Sequence, residues 1–275
     1  MKILSTNKAF GGVQGVYSHS SAETGADMTF AVFVPEHPAG TKLPVLWYLS
    51  GLTCTHANVM DKGEYRRLAA ELGIIVICPD TSPRGDDVPD DDSYDMGQGA
   101  GFYVDATEQP WAANFRMRSY IERELPALIA QKFPADMERQ GIFGHSMGGH
   151  GALTIALRNP ALFKSVSAFA PIVSPLNCPW GHKALGGYLG SDQAKWRDYD
   201  ACALIDAGAR VDDILIDQGT ADQFLEEQLK PELLVESCER AAIPLTLNMR
   251  EGYDHSYFTI STFMGDHLHW HAERL

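Results

Sequence analysis

An α/β architecture is predicted for this chain: one domain over residues 1–275, with a mostly parallel central sheet flanked by helices on both faces. Three observations predict it. The runs Val45–Leu49 and Ile74–Cys78 are short and almost wholly apolar, the pattern of strands buried on both faces. The second half of the chain alternates strand-like and helical segments, as parallel sheets with crossover helices do. A Gly-x-Ser-x-Gly turn at 144–148 joins a short apolar strand to an Ala/Leu-rich helix.

Taken in order, Met28–Pro35 alternates apolar and small residues and reads as a strand. Val45–Leu49 and Ile74–Cys78 follow as buried strands. Between them Val59–Leu72 has helical spacing and ends at Gly73, a C-cap signal. Thr81–Trp111 resists any periodic reading. It holds Asp86, Asp87, Asp90, Asp91, Asp92 and Asp95, then Gly97, Gly99 and Gly101. The acids lack the order of a calcium loop, so a solvated loop bordering a site is expected. Asn114–Lys132 places Phe115, Met117, Ile121, Leu125, Leu128 and Ile129 on one helical face, with Pro126 predicting a kink or early stop. Gly141–Gly144 is a strand and Gly148–Arg158 a helix. Ser165–Ala170, Ile214–Asp217 and Leu245–Met249 are further strands, the last two followed by helices near Phe224–Ala241 and Tyr257–His271. No Pro/Gly/Ser-rich linker divides the chain.

Composition narrows the function. Of 275 residues, 45% are hydrophobic and 21% charged, a globular balance that excludes collagen-like and disordered readings. The 22 basic and 36 acidic residues leave a net charge of −14. That sign opposes binding to nucleic acid or to an anionic membrane. Five Cys, none in a C-x-x-C pair or zinc spacing, fit a reducing compartment. No apolar h-region opens the chain and no run approaches the roughly 20 residues of a membrane helix. A cytoplasmic location is expected, with no metal.

The segment Gly144–Gly151, GHSMGGHG, carries the chemistry. A sharp strand-to-helix turn exposes the Ser146 hydroxyl at the C-terminal edge of the sheet, and glycines at 144 and 148 avoid clashes as the backbone doubles back. A serine needs a base to take its proton and an acid to orient that base. The chain order for this topology is Ser, then Asp or Glu, then His, on loops after later strands. Asp222 and His255 each lie just past a predicted strand. Asp217 is expected to belong to the strand end, and Asp254 adjoins His255 too closely to face it. His145 is expected to pack beside the turn. The tail histidines His267, His269 and His271 read as surface residues. The oxyanion donors expected are the N–H of Met147, after the nucleophile, and the N–H of Leu52, in the loop Ser50–Thr55.

Six separated motifs (SGLTCT, GAGFYVDAT, GHSMGGHGAL, SPLNCPWGHKALGGYLG, DQGTADQF and GYDHSYF) resemble the S-formylglutathione hydrolase, or esterase D, family from near Phe30 to near Phe258. The resemblance implies an α/β-hydrolase fold with no separate lid domain and no cofactor. It implies hydrolysis of S-formylglutathione to formate and glutathione in formaldehyde detoxification, side activity on small acyl esters, and a homodimer. Carried over by motif, the family's triad falls on Ser146, Asp222 and His255, and its oxyanion donors on Leu52 and Met147. Three substrate-binding expectations follow. Trp180 walls a small acyl pocket. Cys54 lies beside the oxyanion loop, where its modification would block the site. Lys183 contacts a glutathione carboxylate, offsetting the acidic surface. The rival readings are a general short-chain carboxylesterase or deacetylase on the same scaffold, an acyltransferase relative, and a binding protein on an inactive scaffold.

Overall fold

In the computed structural model, which describes residues 1–275, nine strands form one sheet. They are β1 (Lys2–Ala9), β2 (Gly12–Ser20), β3 (Asp27–Val34), β4 (Leu43–Leu49), β5 (Ile75–Pro79), β6 (Ala135–His145), β7 (Ser165–Phe169), β8 (Ile214–Gly219) and β9 (Leu245–Arg250). Their order across the sheet is β1-β2-β3-β5-β4-β6-β7-β8-β9. β1, β2 and β3 pair antiparallel, and β3 meets β5 antiparallel. From β5 to β9 every pair is parallel. This is the mostly parallel sheet of the α/β-hydrolase fold.

The apolar runs behave as strands buried on both sides because alternate residues feed different cores. Val45, Trp47, Leu49, Ile75 and Ile77 point into a large core, which they share with the helices Leu125–Lys132, Met147–Arg158 and Pro179–Leu189. Leu46, Tyr48, Val76 and Cys78 point into a smaller core under the helices Arg66–Leu72 and Tyr257–Ala272. The period of two is a strand's alternation of faces.

Register brings the strand ends to one edge. Leu49 pairs with Gly144, His145 with Phe169, Phe169 with Asp217, and Gly219 with Arg250. The segments that follow Leu49, His145, Gly219 and Arg250 therefore emerge side by side.

Four expectations need correction. The helix expected over Val59–Leu72 is two helices, His56–Lys62 and Arg66–Leu72. Thr55 and Asn58 form a capping box that starts the first one early, and Glu64, at φ 54°, interrupts the helical path. Gly73 does cap the second, at φ 69°. Pro126 does not stop the helix, which continues to Lys132. A π turn, Tyr120–Glu124, immediately precedes Leu125–Lys132 and absorbs the missing N–H within its wider step.

The stretch Thr81–Trp111 is only half solvated. Asp86, Asp87, Asp91 and Asp92 are exposed, but Met96, Ala100, Phe102, Tyr103 and Val104 are buried core. Asp90 accepts the N–H groups of Asp91 and Gln98, so that acid organises backbone. Of the tail histidines, His269 is exposed as expected, but the other two depart from the surface reading. His267 and His271 are fully buried, one helical turn apart on the inner face of Tyr257–Ala272. Ser167 on β7 bonds both, at 2.7 Å to Nδ1 of His267 and 2.8 Å to Nε2 of His271.

Candidate active site

Ser146 sits between β6 and the helix Met147–Arg158 at φ 58° and ψ −119°. A non-glycine residue in this region costs about 1–3 kcal/mol and persists only where neighbours enforce it. They do. The Ser146 N–H donates to Phe169 O at 3.0 Å, and Ser146 O accepts from His150 at 2.9 Å and Ile172 at 3.3 Å. The glycines around it are needed because backbone crowds them. A Cβ on Gly148 would lie 2.0 Å from Leu49 O, and one on Gly144 would lie 2.4 Å from Gly148 O.

The loop expected to carry an oxyanion donor follows β4. Gly51 approaches so closely that a Cβ there would stand 3.2 Å from both Ser146 Cβ and His145 O. Beyond it, Thr53 N–H donates to Gly99 O at 2.9 Å and Cys54 N–H to Gly51 O at 3.3 Å. Tyr103 braces the start of the loop, its hydroxyl donating to Ser50 O at 2.9 Å. Leu52 N–H has no acceptor in the protein, and Met147 is the first residue of its helix, where an N–H has no intrahelical partner. These two donors are the ones expected for a developing oxyanion.

Asp222 and His255 meet across the loops after β8 and β9. His255 Nδ1 donates to Asp222 Oδ2 at 2.5 Å. That tautomer leaves Nε2 as the basic nitrogen. Phe224 N–H holds the other carboxylate oxygen at 2.8 Å, and Gln218 Nε2 donates to Oδ2 at 3.2 Å. The ring of His255 lies between His145, with centroids 4.4 Å apart, and Phe224, edge-on at 5.0 Å. Burial, reinforced by the charge of His255, holds the His145 imidazole well below its ordinary pKa. His145 packs against His255 as expected, with both ring nitrogens buried and without a hydrogen-bond partner. Asp217 does lie within β8, bonded to Asn248 at 2.7 Å and Arg250 at 2.9 Å. Asp254 accepts from the backbone and hydroxyl of Ser256.

Ser146, His255, Leu52, Cys54 and Trp180 line one cavity of about 290 Å³. Trp180 packs against Phe224, centroids 4.7 Å apart and rings tilted by 50°, and its Nε1 donates to the Tyr94 hydroxyl at 3.1 Å. Tyr94 also lines the cavity, so the acidic loop borders the site as expected. Burial pushes the Cys54 thiol up, against the opposing pull of Tyr257, Lys62 and Arg84. Lys183 does not line the cavity. Its ammonium is bound by Asp95 and by the Ser93 hydroxyl.

Reasoning from the sequence passed over Gln218, Tyr103 and Phe224. Gln218 lies four residues before Asp222, and that proximity is the signal that could have found it. Tyr103 lies 43 positions before Ser146 in an aperiodic stretch, and nothing local ties it to the oxyanion loop.

A family profile described as "Putative esterase" matches residues 21–272. An S-formylglutathione hydrolase of Paracoccus denitrificans is 56% identical, covering 99% of this chain and 97% of that protein. The chain belongs to the S-formylglutathione hydrolase family. Another member, from Mus musculus, is 53% identical and matches over 100% of this chain and 99% of its own length. The solved structure of the S-formylglutathione hydrolase from Agrobacterium tumefaciens superimposes with a TM-score of 0.99, at 63% identity and full coverage of both chains. In the S-formylglutathione hydrolase family the expected α/β-hydrolase fold thus has its counterpart over the whole length, hairpin β1–β2 included.

Proposed function

We propose that this protein is a serine thioesterase that hydrolyses S-formylglutathione to formate and glutathione, with side activity on small acyl esters. Residues 1–275 are read as one catalytic domain. The observation that carries the reading is His255, bonded to Asp222 at 2.5 Å, in one cavity with a serine held at φ 58°. Family membership at above 50% identity over the full chain supports the substrate.

In this mechanism His255 Nε2 takes the Ser146 proton as Oγ attacks the thioester carbonyl. Asp222 holds the tautomer and stabilises the imidazolium. The carbonyl oxygen becomes an anion that accepts from Leu52 and Met147 N–H, each worth about 2.7–4 kcal/mol at such a site. The C–S bond breaks, the glutathione sulfur leaves and is protonated by His255, and a formyl ester remains on Ser146. Water, deprotonated by the same imidazole, attacks that ester and releases formate. Trp180 and Phe224 line the same cavity as Ser146, and the reading gives them the wall of a small acyl pocket.

The decisive experiment compares kcat/KM for S-formylglutathione with kcat/KM for p-nitrophenyl acetate. A strong preference for the thioester is expected; preference for the ester would transfer the assignment to a general carboxylesterase. Fluorophosphonate labelling should vanish in Ser146→Ala, and labelling that persists would move the nucleophile elsewhere. No helix is long and apolar enough to cross a membrane. Five unpaired thiols support a reducing, cytoplasmic setting. A homodimer is proposed as well, with exposed Ile3, Leu4 and Phe10 near the sheet edge as the surface that supports it; sedimentation equilibrium tests it.

A further inference from the structure

A glutathione thioester carries two carboxylates and one ammonium, while the protein's net charge is −14. Recognition therefore needs local charges that are not already paired. Around the catalytic cavity Lys183 is bound to Asp95, and the Arg84 guanidinium contacts both oxygens of Asp80 at 3.1 Å. Lys62 is different. It ends the helix His56–Lys62 just beyond the oxyanion loop and has no carboxylate or hydrogen-bond partner. Its ammonium stands 6.0 Å from the centroid of the Tyr257 ring. Glu64, two residues on, has no cationic partner either, and its backbone is held in the left-handed region at φ 54°.

Lys62 and Glu64 line a second cavity of about 550 Å³ together with Ser256, Tyr257, Phe258 and Ser261. Tyr257 lines the catalytic cavity too, so the two spaces adjoin across one side chain. Phe258 is 83% exposed, the most exposed large apolar side chain in the protein. The second cavity thus offers one free cation, one free anion and an uncovered aromatic face, next to the site of acyl transfer. From a thioester sulfur in the catalytic cavity, an extended peptide reaches about 7 Å over two residues, enough to enter a neighbouring space.

We propose that this second cavity is the subsite for the free amino-acid end of the thiol peptide: Lys62 binds its α-carboxylate, Glu64 its α-ammonium, and Phe258 covers the intervening methylenes. The inference rests on the reading that the thioester carbonyl meets Ser146. It replaces Lys183, which Asp95 neutralises, as the cation that offsets the acidic surface.

The test uses the full chain, with K62E, K62Q and E64K as variants at exposed positions. In each, the ratio of kcat/KM for S-formylglutathione to kcat/KM for p-nitrophenyl acetate should fall at least fivefold, through KM. S-methylglutathione, used as an inhibitor of p-nitrophenyl acetate hydrolysis, should lose affinity by a similar factor, more in K62E than in K62Q. Ratios and inhibition constants within twofold of wild type in all three variants overturn the subsite. If wild type hydrolyses the ester but not S-formylglutathione, the substrate reading fails by itself. The S-methylglutathione inhibition constants then still decide the subsite.

Discussion

Gly51→Ala tests the proposed oxyanion loop where it approaches Ser146. The new methyl would sit 3.2 Å from Ser146 Cβ and 3.2 Å from His145 O. Carbon atoms prefer separations of about 3.5–4.0 Å, so relief requires a displacement of a few tenths of an ångström. Ser146 cannot yield, because its N–H and carbonyl are both bonded. The loop must move instead, and it carries Leu52 N–H away from the carbonyl oxygen it would stabilise. Loss of a whole oxyanion donor costs about 2.7–4 kcal/mol; weakening one by half costs about 1.4–2 kcal/mol, or about 10–30-fold in rate. Gly51 does not need a positive φ, so alanine brings no backbone penalty of its own. The expected outcome is a 10–30-fold lower acylation rate, read by stopped-flow on p-nitrophenyl acetate, with KM and thermal melting close to wild type. An acylation rate within twofold of wild type in a folded variant would refute the placement of Leu52 as a donor.

Gln218→Met removes the amide that holds Asp222 Oδ2 at 3.2 Å. A hydrogen bond to a charged group is worth about 1.5–3 kcal/mol, and if a comparable share orients the acid, kcat should fall about tenfold with KM unchanged; an unaltered kcat excludes this role. Cys54 lines the catalytic cavity with its thiol pushed up by burial, so iodoacetamide should react slowly at pH 7, faster at pH 9, and abolish esterase activity in step with labelling. Full activity after complete alkylation would separate Cys54 from the site. Acid should destabilise the fold through buried neutral histidines. Burial lowers the His150 pKa from 6.5 to about 4. Its unfolded form binds the proton first, so stability is full above about pH 6.5 and is lost as pH falls toward 4. At pH 5 this group alone accounts for about 2 kcal/mol, measurable by urea unfolding at pH 7 and pH 5 in wild type and His150→Asn. Equal pH slopes in the two proteins would remove His150 as a cause.

Much of the site was legible because its parts are local in sequence. The turn at Ser146 announces itself through glycines at 144 and 148, which only that residue can satisfy against Leu49 and Gly148 backbone oxygens. Asp222 and His255 are legible because each follows a strand within a few residues, and parallel register delivers all such strand ends to one edge. The illegible parts depend on pairings between distant side chains. Lys183 reads as a free cation until the fold brings Asp95 and Ser93 to it from 88 and 90 residues away. His267 and His271 read as a polar tail until β7 supplies hydroxyls that make their burial tolerable; without Ser165 and Ser167 the same helix face would carry unpaired imidazoles in the core. Composition cannot reveal such compensation, because a buried histidine and a surface one contribute identically to every count. For this chain the same limit governs recognition. The reacting groups are fixed by strand ends that sequence pattern can locate. Which charges remain free to meet a substrate is decided only after every internal ion pair has formed.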